Sequence, residues 1–320
     1  MSTFLFILVN NIIPVFILII VGYFVSRKFE LNIMTLTKLN FYIFIPAFTF
    51  LNLYTTEIPI EMLKVLVVIL LLMVINLMIS MIISKIRGYN VDFKNAFSNS
   101  LMFYNSGNLG IPLITLVFSS YPFIINGKTP YLSIALTVQI VVLLFQNITT
   151  NTIGFINAGR ARYNWKDSVL LILKMPATYA IPLAFIWKGI DFDLTTSFVW
   201  PAIKYASDAL VPIALVTLGV QLSKTSFIFK NKEVYLSVFI RLIGGPMIAL
   251  ALIIAFNLDG VIAQTVMISS AAPTAVNSVL IAVETDNCPD FASQVVMTST
   301  LFCAISLVFV IYLARILFPV

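Results

Sequence analysis

Ten apolar runs, each near the ~20 residues that a helix needs to cross a bilayer core, follow one another along this chain with short polar connections between them. In hydrocarbon every backbone N–H and C=O must be paired within the structure, so only helices and closed barrels can span a membrane. Runs of this length are helical, because a membrane strand needs only about 9–11 residues. They fall near 4–25, 36–54, 62–84, 95–118, 130–153, 168–187, 197–221, 234–256, 260–283 and 291–317. The expected fold is therefore an all-α polytopic membrane protein with ten transmembrane helices. Only 10% of the 320 residues are charged, against about 25% in soluble domains.

The same inventory excludes several functions. The net charge of +6 comes from Lys and Arg in the connections between apolar runs. That is how membrane orientation is encoded, and it argues for no nucleic-acid partner. There is no histidine, and Cys288 and Cys303 make no disulfide framework or ligand spacing, so no metal site is expected. An intramembrane enzyme would need a nucleophile with its base, paired aspartates or metal ligands. None is evident, so no catalytic residue and no cofactor are expected. Residues 4–25 are too long for the apolar core of a signal peptide and no Lys or Arg precedes them, so no cleavable leader is expected.

Basic residues alternate between connections. Those after spans 1, 3, 5 and 7 each carry three: Arg27, Lys28 and Lys38; Lys85, Arg87 and Lys94; Arg160, Arg162 and Lys166; Lys224, Lys230 and Lys232. By the positive-inside rule these face the cytoplasm and both termini lie on the non-cytoplasmic side, with the chain in the cytoplasmic (inner) membrane. The most polar connection, residues 156–167, divides the chain into a first five-helix repeat (1–155) and a second (168–320). Five is odd, so the second repeat is inverted relative to the first. Prolines recur in register: Pro14 with Pro182, Pro46 with Pro212, Pro112 with Pro273.

Each repeat carries a break in its fourth span. Span 4 contains Asn105–Pro112 (NSGNLGIP) and span 9 contains Ala271–Ala275 (AAPTA). Gly107, Gly110 and Pro112 disfavour continuous helix, as does Pro273. Paired interruptions at corresponding places in two halves point to a transporter's binding site. The two broken helices run antiparallel. If they cross, two half-helix N-termini meet near the midplane, with Asn108 and Thr274 as expected caps. Such a pair favours an anion, in particular a carboxylate, while the opposing C-terminal carbonyls suit a cation. Asn105, Ser106, Gly107, Asn108, Gly110, Pro112, Pro273, Thr274, Ala275 and Asn277 form the expected substrate site. The same small residues would also serve close helix packing.

Charges inside spans are costly and tend to be functional. Lys174 has two readings, attraction of an anion or snorkelling to the interface. Lys204 and Asp208 are spaced to form an ion pair on one helix face, and a proton-carrying role makes Asp208 the coupling candidate. Arg241 is expected to snorkel to the cytoplasmic side.

NSGNLGIPL (Asn105–Leu113), LVPIALVTLGVQL (Leu210–Leu222) and SSAAPTAVNSVLIAVE (Ser269–Glu284) resemble the auxin efflux carrier family in its bacterial permease branch, and the resemblance covers essentially the whole chain. It implies a 5+5 inverted repeat similar to bile-acid carriers and sodium/proton antiporters, with crossed helices 4 and 9. Helices 1, 2, 6 and 7 would form a homodimeric scaffold. Helices 3–5 and 8–10 would form a moving domain working by an elevator mechanism. The implied cargo is a small organic anion, auxin in plants and dicarboxylates for bacterial members. Asn105 matches the asparagine that opens the first crossover, and Pro112 and Pro273 match its prolines. Plant carriers read Asn-Pro-Asn-Thr-Tyr where this chain reads Met175-Pro176-Ala177-Thr178-Tyr179. Tyr179 is retained as a candidate contact, but Ala177 lacks the amide that helps bind auxin. Antiporters of this architecture place acids at the crossover, and none lies between Asn95 and Asn126, while only Asp259 and Glu284 bracket span 9. A sodium- or proton-coupled carrier of another cargo stays open as the alternative.

Overall fold

The computed structural model describes residues 3–57, 59–159, 176–225 and 231–320. Among these the structure is helical, with no strand beyond two isolated bridges. Seven helices are long and apolar enough to cross a membrane: α1 (Thr3–Phe29), α2 (Ile33–Thr55), α3 (Met62–Arg87), α6 (Leu132–Gly159), α8 (Trp200–Lys224), α9 (Lys232–Ala255) and α12 (Pro289–Leu317). The segments expected as spans 4 and 9 are each divided. The first becomes α4 (Val91–Met102) and α5 (Ser106–Phe118), the second α10 (Gly260–Ser270) and α11 (Asn277–Glu284). α7 (Pro176–Lys188) covers the described part of the expected sixth span.

Local sequence explains where these helices start and bend. Asn32, Asn90, Asn231 and Asp259 each cap a helix by accepting a backbone N–H one to three residues on, which satisfies a donor that the first turn cannot. Four wide, π-type turns end two residues before a proline: Leu8–Ile12 before Pro14, Asn40–Phe44 before Pro46, Ser106–Gly110 before Pro112 and Ile240–Gly244 before Pro246. A proline ring clashes with the carbonyl four residues back and leaves it without a donor. Widening the preceding turn moves that carbonyl aside without ending the helix. The helices that carry Pro14, Pro46 and Pro246 accommodate their prolines in this way.

Packing divides the helices into two groups. α1, α2, α7 and α8 pack on one another, while α3–α6 and α9–α12 make most of their contacts among themselves. Within the first group α1 and α8 meet backbone to backbone. A Cβ added at Gly219 would lie 2.0 Å from the Ile19 carbonyl oxygen, and one at Gly22 would lie 2.3 Å from that of Val216. Between the ends of α3 and α9, Arg87 is paired with Glu233 at 3.6 Å and the Tyr89 hydroxyl donates to the same carboxylate. Burial, followed by the neighbouring Glu233, pushes the Tyr89 phenol above its usual range.

Candidate functional site

Three residues, Phe103–Asn105, join α4 to α5, and residues 271–276 join α10 to α11. Backbone released from a helix inside a membrane must find partners, and here the two breaks supply each other's. Asn105 N–H donates to the Pro273 carbonyl at 2.8 Å and Ala275 N–H donates to the Phe103 carbonyl at 2.9 Å. Tyr104 and Thr274 thus face each other in a one-residue antiparallel bridge. The Thr274 hydroxyl donates to the Ser100 carbonyl (2.9 Å), and Thr274 N–H donates to Ser299 Oγ (3.2 Å).

The caps differ from those expected. Asn105 caps α5, its Oδ1 accepting Asn108 N–H at 3.1 Å, because the wide turn required by Pro112 restarts the helix at Ser106. Thr274 spends its hydroxyl on Ser100 instead, and α11 starts later, at Asn277, with no side-chain cap.

A small pocket of about 30 Å³ lies against the paired breaks. Of the expected residues, Asn105, Ser106, Gly107, Asn108, Ala275 and Asn277 line it. Pro273 contributes its carbonyl to the bridge, Thr274 is locked behind it, and Pro112 is buried beyond the wide turn. Gly110 clears room for Gln139, since a Cβ there would sit 2.4 Å from Gln139 Nε2. Tyr179 stands half-exposed on α7, away from the pocket lining. Asp208 forms the expected ion pair with Lys204 at 2.7 Å, with both side chains more than half exposed, and it does not line the pocket. Lys174 lies outside the described residues.

Sequence reasoning missed the contribution of α6. Gln146 accepts Tyr104 N–H through Oε1 at 3.2 Å and lines the pocket beside Asn147 and Thr150. Gln139 donates to the Ser106 carbonyl (2.7 Å) and accepts from Ser269 Oγ (2.6 Å), clamping the first break to the end of α10. The signal was spacing: Gln139, Gln146 and Asn147 recur at intervals that place them on one helix face. Since each oxygen takes a backbone N–H, the remaining group of Asn105 and of Gln146 is an amide nitrogen. Both nitrogens are buried and have no hydrogen-bond partner among the described residues, on residues that are 5% and 2% exposed.

Arg241 corrects a second expectation. It does not snorkel but is fully buried. Nη1 donates to the Leu101 carbonyl at 2.9 Å, Nη2 donates to the Ser270 carbonyl, and the guanidinium lies 4.7 Å from the centre of the Tyr104 ring. The wide turn at Ile240–Gly244 and the absence of a side chain at Gly245 admit it.

A protein-family model described as "Membrane transport protein" matches residues 7–169 and 162–311. No curated protein is similar enough to the chain to match it. The apolar helices, the broken pair and this match agree: the chain is a multi-pass membrane transporter and belongs to the membrane transport protein family, the auxin efflux carrier family that its break motifs resemble.

Proposed function

We propose that the protein is a secondary carrier of small organic anions, carboxylates such as dicarboxylates, and holds the cargo's carboxylate where the two breaks meet. The observation that carries this reading is the pair of unpartnered amide donors, Asn105 Nδ2 and Gln146 Nε2, on residues lining one pocket. A buried donor without an acceptor is costly to maintain. A carboxylate, which only accepts, meets that demand beside the N-terminal end of α5, where the helix dipole also favours negative charge.

In this reading the ten spans form a 5+5 inverted repeat, with α4–α5 and α10–α11 crossing as helices 4 and 9. The packing groups support a scaffold of helices 1, 2, 6 and 7 and a transport domain of helices 3–5 and 8–10, and the family resemblance implies that the scaffold is dimeric. Phe41 and Ile45 of α2 form one wall of the pocket, and the breaks and α6 form the rest. Because one wall belongs to the first packing group and the rest to the second, an elevator movement of one group past the other would open and close the pocket. The protein sits in the cytoplasmic membrane with both termini outside.

The test is thermal unfolding of purified protein with malate, malonate, succinate, indole-3-acetate and an uncharged analogue, for wild type and Asn105→Ala. A ligand at about 100 times its Kd stabilises the folded state by about 2.7 kcal/mol. The expected result is stabilisation of wild type by one carboxylate, absent with the uncharged analogue and lost in Asn105→Ala. Flat responses across the panel would refute the organic-anion reading. A shift produced by sodium or pH alone would favour the coupled carrier of a different cargo.

A further inference from the structure

Arg241 occupies an unusual electrostatic position. Leu101 is in the last turn of α4 and Ser270 is the last residue of α10, so its two hydrogen bonds end on the C-terminal carbonyls of both broken helices. Each helix end carries roughly half a negative charge, so together they match one cation. Neither of the two ion pairs among the described residues involves Arg241. The carbonyl ends and the Tyr104 ring face are therefore what surround its charge, the latter through a cation–π contact at 4.7 Å. The place is built for the guanidinium: a Cβ at Gly245 would lie 2.8 Å from Nη2 and 3.3 Å from the Ser270 carbonyl oxygen.

We propose that Arg241 is a fixed internal cation, filling the place where two converging helix C-termini would otherwise draw a metal cation such as sodium. The protein then holds the two breaks together, and offers its pocket to an anion, without a bound metal ion at that point. The idea rests on the anion reading only for what the pocket receives. The claim about the cation stands on the carbonyl geometry.

The experiment needs no substrate. Thermal unfolding is followed for wild type, Arg241→Ala, Arg241→Gln and Arg241→Lys, in sodium chloride and in N-methylglucamine chloride at equal ionic strength, with and without millimolar guanidinium chloride. Wild type should be indifferent to the choice of cation. Arg241→Ala should unfold about 5 °C or more lower and recover part of that loss with guanidinium or sodium. If Arg241→Ala does not fold, the other two variants decide: Lys keeps the charge and should stay near wild type, whereas Gln keeps donors but not charge and should fall. Sodium stabilising wild type but not Arg241→Ala would overturn the proposal. So would Gln equalling wild type, or a folded Arg241→Ala that no small cation recovers. A flat carboxylate panel with these results intact would refute the anion reading alone.

Discussion

Gly219→Ala is expected to prevent the protein from reaching its folded state. The added Cβ would lie 2.0 Å from the Ile19 carbonyl oxygen and 2.8 Å from the Tyr23 backbone nitrogen. Both obstacles are main chain, so no side-chain rotation relieves them and α1 must move away from α8 over its length. Overpacking of a core usually costs about 1–3 kcal/mol and occasionally more. A clash with rigid backbone belongs at the upper end, about 4 kcal/mol or beyond. Gly244→Ala is the control. Its nearest obstacle is the Ile240 side chain at 3.5 Å, an ordinary contact, and alanine's better helix propensity, worth up to about 1 kcal/mol, acts in its favour. Monodisperse protein recovered in detergent should be lost for Gly219→Ala and unchanged for Gly244→Ala.

Gln139→Leu is expected to loosen the joint between the breaks. Leucine fits an apolar helix but leaves the Ser106 carbonyl and the Ser269 hydroxyl without the partners that Gln139 provides at 2.7 and 2.6 Å. Each buried polar group so stranded costs about 1–3 kcal/mol. Because Ser106 lines the pocket, loss of the clamp should also weaken the response to a carboxylate, although Gln139 is not a lining residue. Thermal unfolding of Gln139→Leu, Ser269→Ala and the double variant checks the mechanism. The two changes should fall short of additivity by at least about 0.5 kcal/mol, as for residues sharing a hydrogen bond. Strict additivity would place the effect of Gln139 elsewhere.

The apolar helices and both breaks were legible in the sequence for the same physical reason. Hydrocarbon tolerates only paired backbone, so Gly107, Gly110, Pro112 and Pro273 in otherwise apolar runs signalled irregular chain enclosed by protein. The first break nevertheless opens earlier, at Phe103–Asn105, and Gly107, Gly110 and Pro112 lie in the wide turn and first residues of α5. The Lys204–Asp208 pair was legible because helical spacing alone brings the two together. Arg241 was not, because sequence fixes a residue's depth along a helix but not which neighbour its face meets. Its burial depends on carbonyls contributed by two distant helix ends. Gln146 was hidden for a similar reason: its role rests on the Tyr104 N–H that the first break sets free. The caps shifted because the wide turn ahead of Pro112 keeps the chain helical from Ser106 onward, which leaves Asn105 rather than Asn108 at the boundary.

The anion site is tested most directly by a structure of the protein in lipid with malonate, or whichever carboxylate stabilises it most, bound. Carboxylate oxygens are expected within hydrogen-bonding distance, about 2.7–3.2 Å, of Asn105 Nδ2 and Gln146 Nε2, with the α2 wall at Phe41 and Ile45 drawn back. A carboxylate bound elsewhere, with both amide nitrogens still unpartnered, would contradict it.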